Sequence, residues 1–242
     1  MSESNPLGGR LAGRIALVTG ASRGIGAEVA KRYAKEGAQV ILVARTQGGL
    51  DEVGEAMLEI GDQQPVMAPL DLRDGEMVDR LGASIYQQFG RLDVLVGNAG
   101  VLGTLSPVGH IAPKVWDETI AVNLTANWRL LRSLDPLLRQ SEAGRAIFVT
   151  SGAARSPKAY WGAYAASKAA LETLVMAYAA EITKTNVKAN IIDPGRSRTA
   201  MRAQAYPGED PMTLVHPSEI TEAFVELATA DCQRSGEVVP VY

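Results

Sequence analysis

Tyr164 and Lys168 stand four residues apart in the run Tyr164-Ala-Ala-Ser-Lys168. On an α-helix, positions i and i+4 share a face, so the phenol and the ammonium would project into the same space. A nearby cation favours the phenolate and lowers the tyrosine pKa from about 10 toward a range where it can give or take a proton. The pair predicts a proton-transfer site, although such pairs also occur as ordinary packed or solvated neighbours.

A serine precedes this pair at a useful distance. Ser151 lies at the predicted end of a strand, upstream of the tyrosine. Its hydroxyl is expected to reach the same cleft and to hydrogen-bond a substrate carbonyl.

A glycine-rich segment follows the first apolar run of the chain, in the order Thr19-Gly20-Ala21-Ser22-Arg23-Gly24-Ile25-Gly26. Glycines let the backbone approach a pyrophosphate, and the helix that follows offers free N–H groups and a favourable dipole. The spacing is G-x-x-x-G-x-G rather than the general G-x-G-x-x-G fingerprint. A tight strand-to-helix turn without a ligand is the competing interpretation.

The second strand ends at Ala44-Arg45, and no acidic residue lies between Gly37 and Leu50. An acid in this region normally holds the ribose 2′-hydroxyl of NAD, whereas an arginine accommodates the 2′-phosphate of NADP. Arg45 and Arg23 together therefore favour NADP(H) over NAD(H). Each arginine taken alone could equally be a solvated surface charge.

Two further strand ends carry candidate cofactor residues. Asp71-Leu72 follows the third strand, where the carboxylate could accept from an adenine amino group or cap a turn. Gly97-Asn98-Ala99-Gly100 closes the fourth strand, where small residues leave room for a cofactor and Asn98 could tie neighbouring strands together. A loop that merely turns remains an alternative here.

The predicted substrate pocket is mostly apolar, which suits a hydrophobic or aromatic carbonyl compound. Its candidate residues are Leu102, Ala153, Tyr160, Trp161 and Met201. Packing of the two aromatic residues at the start of a helix is the alternative. Residues 196–217 are predicted to form a long lid loop with at most a short helix. One of its arginines, Arg196, Arg198 or Arg202, could meet an anionic substrate group.

The elements that must position these residues alternate between strand and helix. Short β-branched runs predict strands at Ile15–Thr19, Val40–Val43, Val66–Ala68, Leu92–Val96, Ala146–Thr150, Val187–Ile192 and Val238–Val241. Longer amphipathic stretches predict helices at Gly26–Glu36, Gly49–Ile60, Gly75–Phe89, Pro113–Ser141, Trp161–Thr183 and Ser218–Ala230. This order predicts an α/β fold, a doubly wound parallel sheet in one domain over residues 1–242, with ligands beyond the carboxyl ends of the strands.

Composition narrows the function classes. The net charge of −3 is not that of a typical nucleic-acid binder. The lone cysteine, Cys232, permits a reducing cytoplasm, and neither a signal peptide nor a membrane span is evident. We expect a cytoplasmic protein with no metal site and with a flexible segment at residues 1–10. Long helices apolar on more than one face indicate a homodimer or homotetramer.

Taken together, the motifs resemble those of the short-chain dehydrogenase/reductase family over nearly the whole chain. The matching positions are Thr19-Gly20-x-x-x-Gly24-x-Gly26, Asn98-Ala99-Gly100, Asn123, Ser151, Tyr164-x-x-x-Lys168 and Pro194-Gly195 with Thr199. The runs around Trp161 and Arg196–Pro211 look like a bacterial subgroup of oxidoreductases with undefined substrate. The resemblance implies a Rossmann-type domain with strand order 3-2-1-4-5-6-7 and hydride transfer between a nicotinamide and a carbonyl or hydroxyl carbon.

The resemblance also implies a role for each matching residue. Tyr164 would be the general acid or base, Lys168 would lower its pKa and hold the nicotinamide ribose, and Ser151 would polarise the carbonyl. Asn123 would hold a water in a proton relay behind Lys168. The cofactor site would comprise Gly20, Ser22, Arg23, Gly24, Ile25, Gly26, Arg45, Asp71, Leu72, Asn98, Ala99, Gly100, Tyr164, Lys168, Pro194, Gly195 and Thr199.

Three positions depart from the family pattern. Gly97 stands where an asparagine is common, Arg196 and Ser197 follow Pro194-Gly195 where an aliphatic residue is usual, and the chain ends at Tyr242 without an Asp-Gly-Gly tail. The last departure weakens the expectation of a family-like tetramer.

The sequence thus predicts an NADP(H)-dependent oxidoreductase acting on a small carbonyl or alcohol. A dinucleotide-binding regulatory or assembly protein with incidental turnover is the alternative. The complete set of Asn123, Ser151, Tyr164 and Lys168 favours the enzyme, because a protein that only binds the dinucleotide needs neither the serine nor the tyrosine.

Overall fold

One parallel sheet forms the centre of the molecule. The computed structural model describes residues 9–61 and 63–241. In this part of the chain seven strands lie in the order β3-β2-β1-β4-β5-β6-β7. They are β1 Ile15–Thr19, β2 Gln39–Ala44, β3 Val66–Pro69, β4 Val94–Gly97, β5 Arg145–Val149, β6 Lys188–Asp193 and β7 Val238–Pro240. The doubly wound sheet and its strand order are confirmed.

Helices cover both faces of the sheet. They are α1 Gly24–Lys35, α2 Gln47–Leu58, α3 Gly75–Phe89, α4 Pro113–Ile120, α5 Ala126–Gln140, α6 Gly162–Glu181, α7 Ala200–Ala205 and α8 Thr221–Ala228. The bounds predicted from the sequence for the strands and helices differ from these by at most three residues, except in the segment 113–141. The lid segment contains α7, the short helix that its sequence allowed.

The prediction of one helix over Pro113–Ser141 is wrong in detail. A π-helical turn, Ala121–Thr125, separates α4 from α5, and the Ala126 amide donates to the Ala121 carbonyl across it. The widened turn is tied to a distant segment, because the Asn123 side chain hydrogen-bonds both backbone groups of Val101. Helical periodicity cannot reveal such a one-turn change.

Alternating side chains of each strand pack on opposite faces, as expected of buried parallel strands. From β1, Ala16 and Val18 pack with α1, α2 and α8, while Ile15 and Leu17 pack with α3, α5 and α6. The strand order reverses at β1 and β4, which are parallel neighbours: the chain adds β2 and β3 on one side of this pair and β5 to β7 on the other. In sheets of this kind ligands bind at that reversal, outside the carboxyl ends of the strands.

The start of the chain is partly described. Of the predicted flexible segment 1–10, residues 1–8 lie outside the described residues, and Arg10 forms ion pairs with Glu36 and Glu222. In the described ranges, no helix combines the length and apolar character needed to cross a membrane.

Gly97, the last residue of β4, is enclosed by two side chains. A Cβ at this position would lie 2.3 Å from Cδ1 of Phe148 and 2.6 Å from Oδ1 of Asn127. The fully buried Phe148 ring has little room to move. The departure from the family pattern at residue 97 is therefore tied to Asn127, which fills this space from α5.

We expect Gly97→Ala to lower the free energy of unfolding by about 1–3 kcal/mol, because the added methyl overpacks a closed site. Gly48→Ala is the matched control, since no atom lies within 4 Å of its added methyl. This substitution within α2 should be neutral or slightly stabilising. Urea denaturation of both variants measures the difference, and equal stabilities would contradict the packing described here.

Candidate active site

The turn between β1 and α1 has three glycine positions at which a side chain is disfavoured. Gly20 and Gly24 have φ values of +65° and +59°, a region that side chains disfavour. A Cβ on Gly26 would lie 2.3 Å from the Gly20 carbonyl oxygen. These glycine positions therefore disfavour side chains, and the turn leads directly into the N-terminus of α1. This geometry suits a pyrophosphate.

Asn98 ties this turn to β4. Its side-chain amide donates to the Thr19 carbonyl at 2.9 Å, and the Thr19 hydroxyl accepts from the backbone N–H groups of Asn98 and Ala99. The expectation that Asn98 links neighbouring strands is confirmed. Gly100 follows, and a Cβ there would lie within 3.5 Å of both Asn123 and Lys168. The turn and the candidate catalytic residues therefore meet at the end of β4.

Two exposed guanidiniums flank the same turn. Arg23 precedes α1 and Arg45 follows β2, and no carboxylate lies within ion-pair distance of either among the described residues. Asp71, the candidate adenine acceptor, is held by Arg73 at 2.5 Å, and this arginine lowers the Asp71 pKa below its usual value. Sequence analysis overlooked Arg73, although the Asp-Leu-Arg spacing is that of a side chain folding back on its own turn.

The other predicted cofactor residues lie around this edge. Thr199 is close to Gly24, since a Cβ on that glycine would lie 3.6 Å from the threonine methyl, and Thr199 also caps α7. Ser22 packs near Gly49 at the start of α2. Leu72 is buried in the core on one face of the sheet, Ile25 packs against the core on the opposite face, and Pro194-Gly195 follow β6.

Lys168 is buried beneath this edge. Its side chain reaches across from α6, and Nζ donates to the Val149 carbonyl at 2.9 Å. Burial lowers the pKa of Lys168 to about 8. An ammonium has three donors, so this geometry leaves donors for a further hydroxyl partner, as a ribose would provide.

Tyr164 lies one helical turn before Lys168, with the ammonium 5.9 Å from the centre of its ring. The expectation that the ammonium brings the tyrosine pKa down is wrong for this environment. Burial raises the pKa of Tyr164 to about 12, the Ser151 hydroxyl opposes that rise, and the charge of Asp193 adds to it. Desolvation of the phenolate is the largest of these effects.

Ser151 and Asn123 approach from two other elements. Ser151 follows β5, and its Oγ accepts from the Ala153 amide at 3.3 Å as it caps a 3₁₀ turn. Asn123 is fully buried in the π-helical turn and donates to the Ser167 hydroxyl at 2.9 Å. Its side-chain groups are engaged by Val101 and Ser167, and its water-holding role stays a prediction.

The candidate substrate residues fall into different environments. Leu102 is buried, Tyr160 is 59% exposed, and Ala153 and Met201 are half-buried. Trp161 packs edge-on against Tyr164, with ring centres 5.8 Å apart, which agrees with the packing alternative. Tyr160 has a φ of +73°, the one positive value among the described residues other than glycine.

The lid is held by its own charges. Arg202 forms a two-pronged ion pair with Glu209 and stacks on Tyr206, which also packs against Trp161. This guanidinium is therefore occupied, whereas Arg196 is exposed and Arg198 reaches Met212. The hypothesis of an anion-binding lid arginine is left to Arg196 and Arg198. Among the described residues, no cluster of His, Cys, Asp or Glu could hold a metal ion.

The class that this fold and edge define is the Rossmann-type oxidoreductases. The short chain dehydrogenase family model matches residues 14–210, and the chain belongs to that family. An uncharacterized oxidoreductase of Escherichia coli K12, YciK, is 41% identical over 223 residues, with 91% of this chain and 88% of the relative covered.

Solved structures agree with this placement. A short chain dehydrogenase from Pseudomonas syringae superposes with a TM-score of 0.94 at 37% identity, covering 100% of both chains. Another, from Escherichia coli CFT073 and complexed with NADPH, superposes with a TM-score of 0.92 at 40% identity, covering 96% of this chain and 97% of its own.

The buried lysine predicts a pH dependence of stability. The Lys168 pKa falls from 10.5 to about 8 on folding, so between these values the unfolded chain binds the extra proton. Stability contributed by this group should therefore rise with pH, by up to about 1.4 kcal/mol per pH unit. Chemical denaturation of the wild type and of Lys168→Met across this window measures the gain, which the variant should lack. Parallel stability curves would contradict it.

Proposed function

We propose that this chain is an NADP(H)-dependent oxidoreductase that reduces the carbonyl group of a small molecule to an alcohol, with Tyr164 as the general acid. The observation that carries the proposal is the convergence of the Tyr164 phenol, the Ser151 hydroxyl and the buried Lys168 ammonium at the carboxyl edge of the sheet. The same groups would serve the reverse oxidation.

The protonation state of Tyr164 supports reduction at neutral pH. With a pKa of about 12, the phenol keeps its proton there and can donate it to a carbonyl oxygen as negative charge develops. The Ser151 hydroxyl donates a second hydrogen bond to that oxygen and orients it. The Lys168 ammonium stabilises the phenolate that remains after proton transfer.

The cofactor assignment has its own support. The close-packed glycines Gly20, Gly24 and Gly26 in the turn fit a pyrophosphate, and Arg23 and Arg45 suit a 2′-phosphate. The related structure in complex with NADPH favours the same cofactor. The residues present therefore fit NADP(H), whose nicotinamide supplies the hydride when bound. Pro194-Gly195 and the buried Lys168 would border its reactive end.

Tyr164→Phe tests the general acid. We expect kcat for carbonyl reduction to fall roughly 100- to 10,000-fold, because proton donation is lost, while NADPH binding measured by fluorescence is retained. Acetophenone, benzil, cyclohexanone and ethyl acetoacetate form the substrate panel.

Tyr178→Phe is the control for this experiment, since Tyr178 lies on the same helix but bonds Asp135 away from the edge. It should retain wild-type kcat. Equal rates for wild type and Tyr164→Phe would refute the role of Tyr164. Binding of NADPH with no tyrosine-dependent turnover would favour the alternative, a dinucleotide-binding protein.

Arg45→Ala tests the cofactor preference. Loss of one charge-assisted contact should weaken NADPH binding roughly 10- to 100-fold and leave NADH binding unchanged. Arg80→Ala removes an exposed arginine on α3 and controls for the change in net charge. Equal losses for the two dinucleotides would show that Arg45 does not contact the 2′-phosphate.

A further inference from the structure

A buried ion-pair cluster lies behind the candidate catalytic residues. The guanidinium of Arg155 bridges two carboxylates, Glu172 on α6 and Asp193 at the end of β6. The carboxylate side chains are 9% and 2% exposed, whereas Arg155 is 41% exposed and reaches inward from the turn that follows Ser151. The cluster joins three segments, each of which carries a candidate site residue.

Each carboxylate also holds a neighbouring segment. Glu172 accepts from the Thr150 hydroxyl at 2.7 Å, next to Ser151 in the chain. Asp193 accepts from the Gly195 amide at 3.2 Å, in the segment expected beside the nicotinamide. A Cβ on Gly152 would lie 3.7 Å from Oδ2 of Asp193, so this carboxylate lies close to the serine turn. Through these two carboxylates, Arg155 is linked both to the segment that carries Ser151 and to the segment that carries Gly195.

The cluster carries an excess of negative charge, one guanidinium against two carboxylates. A buried carboxylate without its partner is strongly destabilising, so Arg155 is needed to keep both carboxylates in place. Asp193 also acts on Tyr164, because its charge opposes ionisation of the phenol and raises the Tyr164 pKa. Removing the guanidinium would leave that charge uncompensated.

The surroundings of Tyr164 limit which groups can act on it. Lys168 lies one turn along the same helix, Ser151 acts from the turn after β5, and Asp193, the partner of Arg155, acts from β6. The π-helical turn contributes the uncharged Asn123. The charged residues of α4, which packs on α6, are exposed or paired with Arg73, namely Lys114, Asp117 and Glu118.

We propose that Arg155 is a positioning residue of this site, which fixes the Ser151 turn and the Gly195 segment against α6 and offsets the Asp193 charge that faces Tyr164. The inference rests on the proposed function for its kinetic part only. Its electrostatic part concerns the ionisation of Tyr164, which can be measured without a substrate.

The test compares four variants of the cluster and one control variant with the wild type. Arg155→Met removes the charge, Arg155→Lys keeps the charge without the two-pronged geometry, and Asp193→Asn removes the opposing charge. The double variant Arg155→Met/Asp193→Asn removes both. Arg132→Met, which breaks the exposed pair with Asp79, is the control for loss of an ion pair elsewhere.

The first measurement is the ¹⁹F NMR titration of protein labelled with 3-fluorotyrosine, whose phenol ionises at a lower pH than that of tyrosine, with NADPH present and the Tyr164 signal assigned through Tyr164→Phe. The Tyr164 titration should move to higher pH in Arg155→Met and to lower pH in Asp193→Asn. In the double variant it should return toward the wild type, and in Arg155→Lys and Arg132→Met it should stay near it. An unchanged titration in Arg155→Met and Asp193→Asn would overturn the electrostatic part.

The second measurement is kcat for the ketone panel. Arg155→Met and Arg155→Lys should lose roughly tenfold or more in kcat through misplacement of Ser151, with a smaller change in the Kd for NADPH. Wild-type kcat in both variants would overturn the positioning part. If Arg155→Met fails to fold, Asp193→Asn and Arg155→Lys decide both parts. If the wild type reduces no ketone, the proposed function fails for that panel, and the titration still decides whether Arg155 and Asp193 act on Tyr164.

Discussion

The burial of the Lys168 ammonium is the constraint around which the candidate site is arranged. A buried cation is costly, and here it is met by the Val149 carbonyl and by a lowered pKa rather than by a carboxylate. A carboxylate at that position would neutralise the ammonium and take the donors that a ribose needs. Gly100, after β4, leaves space for the end of this side chain, since a Cβ there would lie 3.5 Å from the Lys168 Nζ.

The acidic groups that do lie near the site are kept apart from this ammonium. Glu172 and Asp193 are bound to Arg155, and neither forms an ion pair with Lys168, so the described residues hold two separate charge systems behind one edge. One is cationic and faces the expected cofactor, while the other is net anionic and opposes ionisation of Tyr164. Burial of Tyr164 and the anionic system keep the phenol protonated at neutral pH, the form that carbonyl reduction requires.

The strands, the helices and the glycine turn were predictable from the sequence because they depend on local residue patterns. β-Branched runs identified the strands, and glycine spacing located the turn before α1. Other features arise only from long-range contacts. The need for a glycine at residue 97 comes from the Asn127 and Phe148 side chains, and the π-helical turn is held by Val101. Arg155 pairs with carboxylates from two other elements. The Tyr164 pKa was expected to fall because sequence shows the neighbouring lysine but does not show how deeply both side chains are buried.

The central claim, that this edge places a carbonyl carbon beside a nicotinamide, is tested most directly by isotope transfer. NADPH deuterated at C4 of the nicotinamide, on one face or on the other in separate samples, is incubated with the wild-type protein and a reducible ketone. The alcohol is analysed by mass spectrometry and NMR. The account predicts one deuterium at the carbinol carbon, delivered from a single face of the nicotinamide. An alcohol formed without deuterium from either face, or bound NADPH that reduces no ketone, would contradict it.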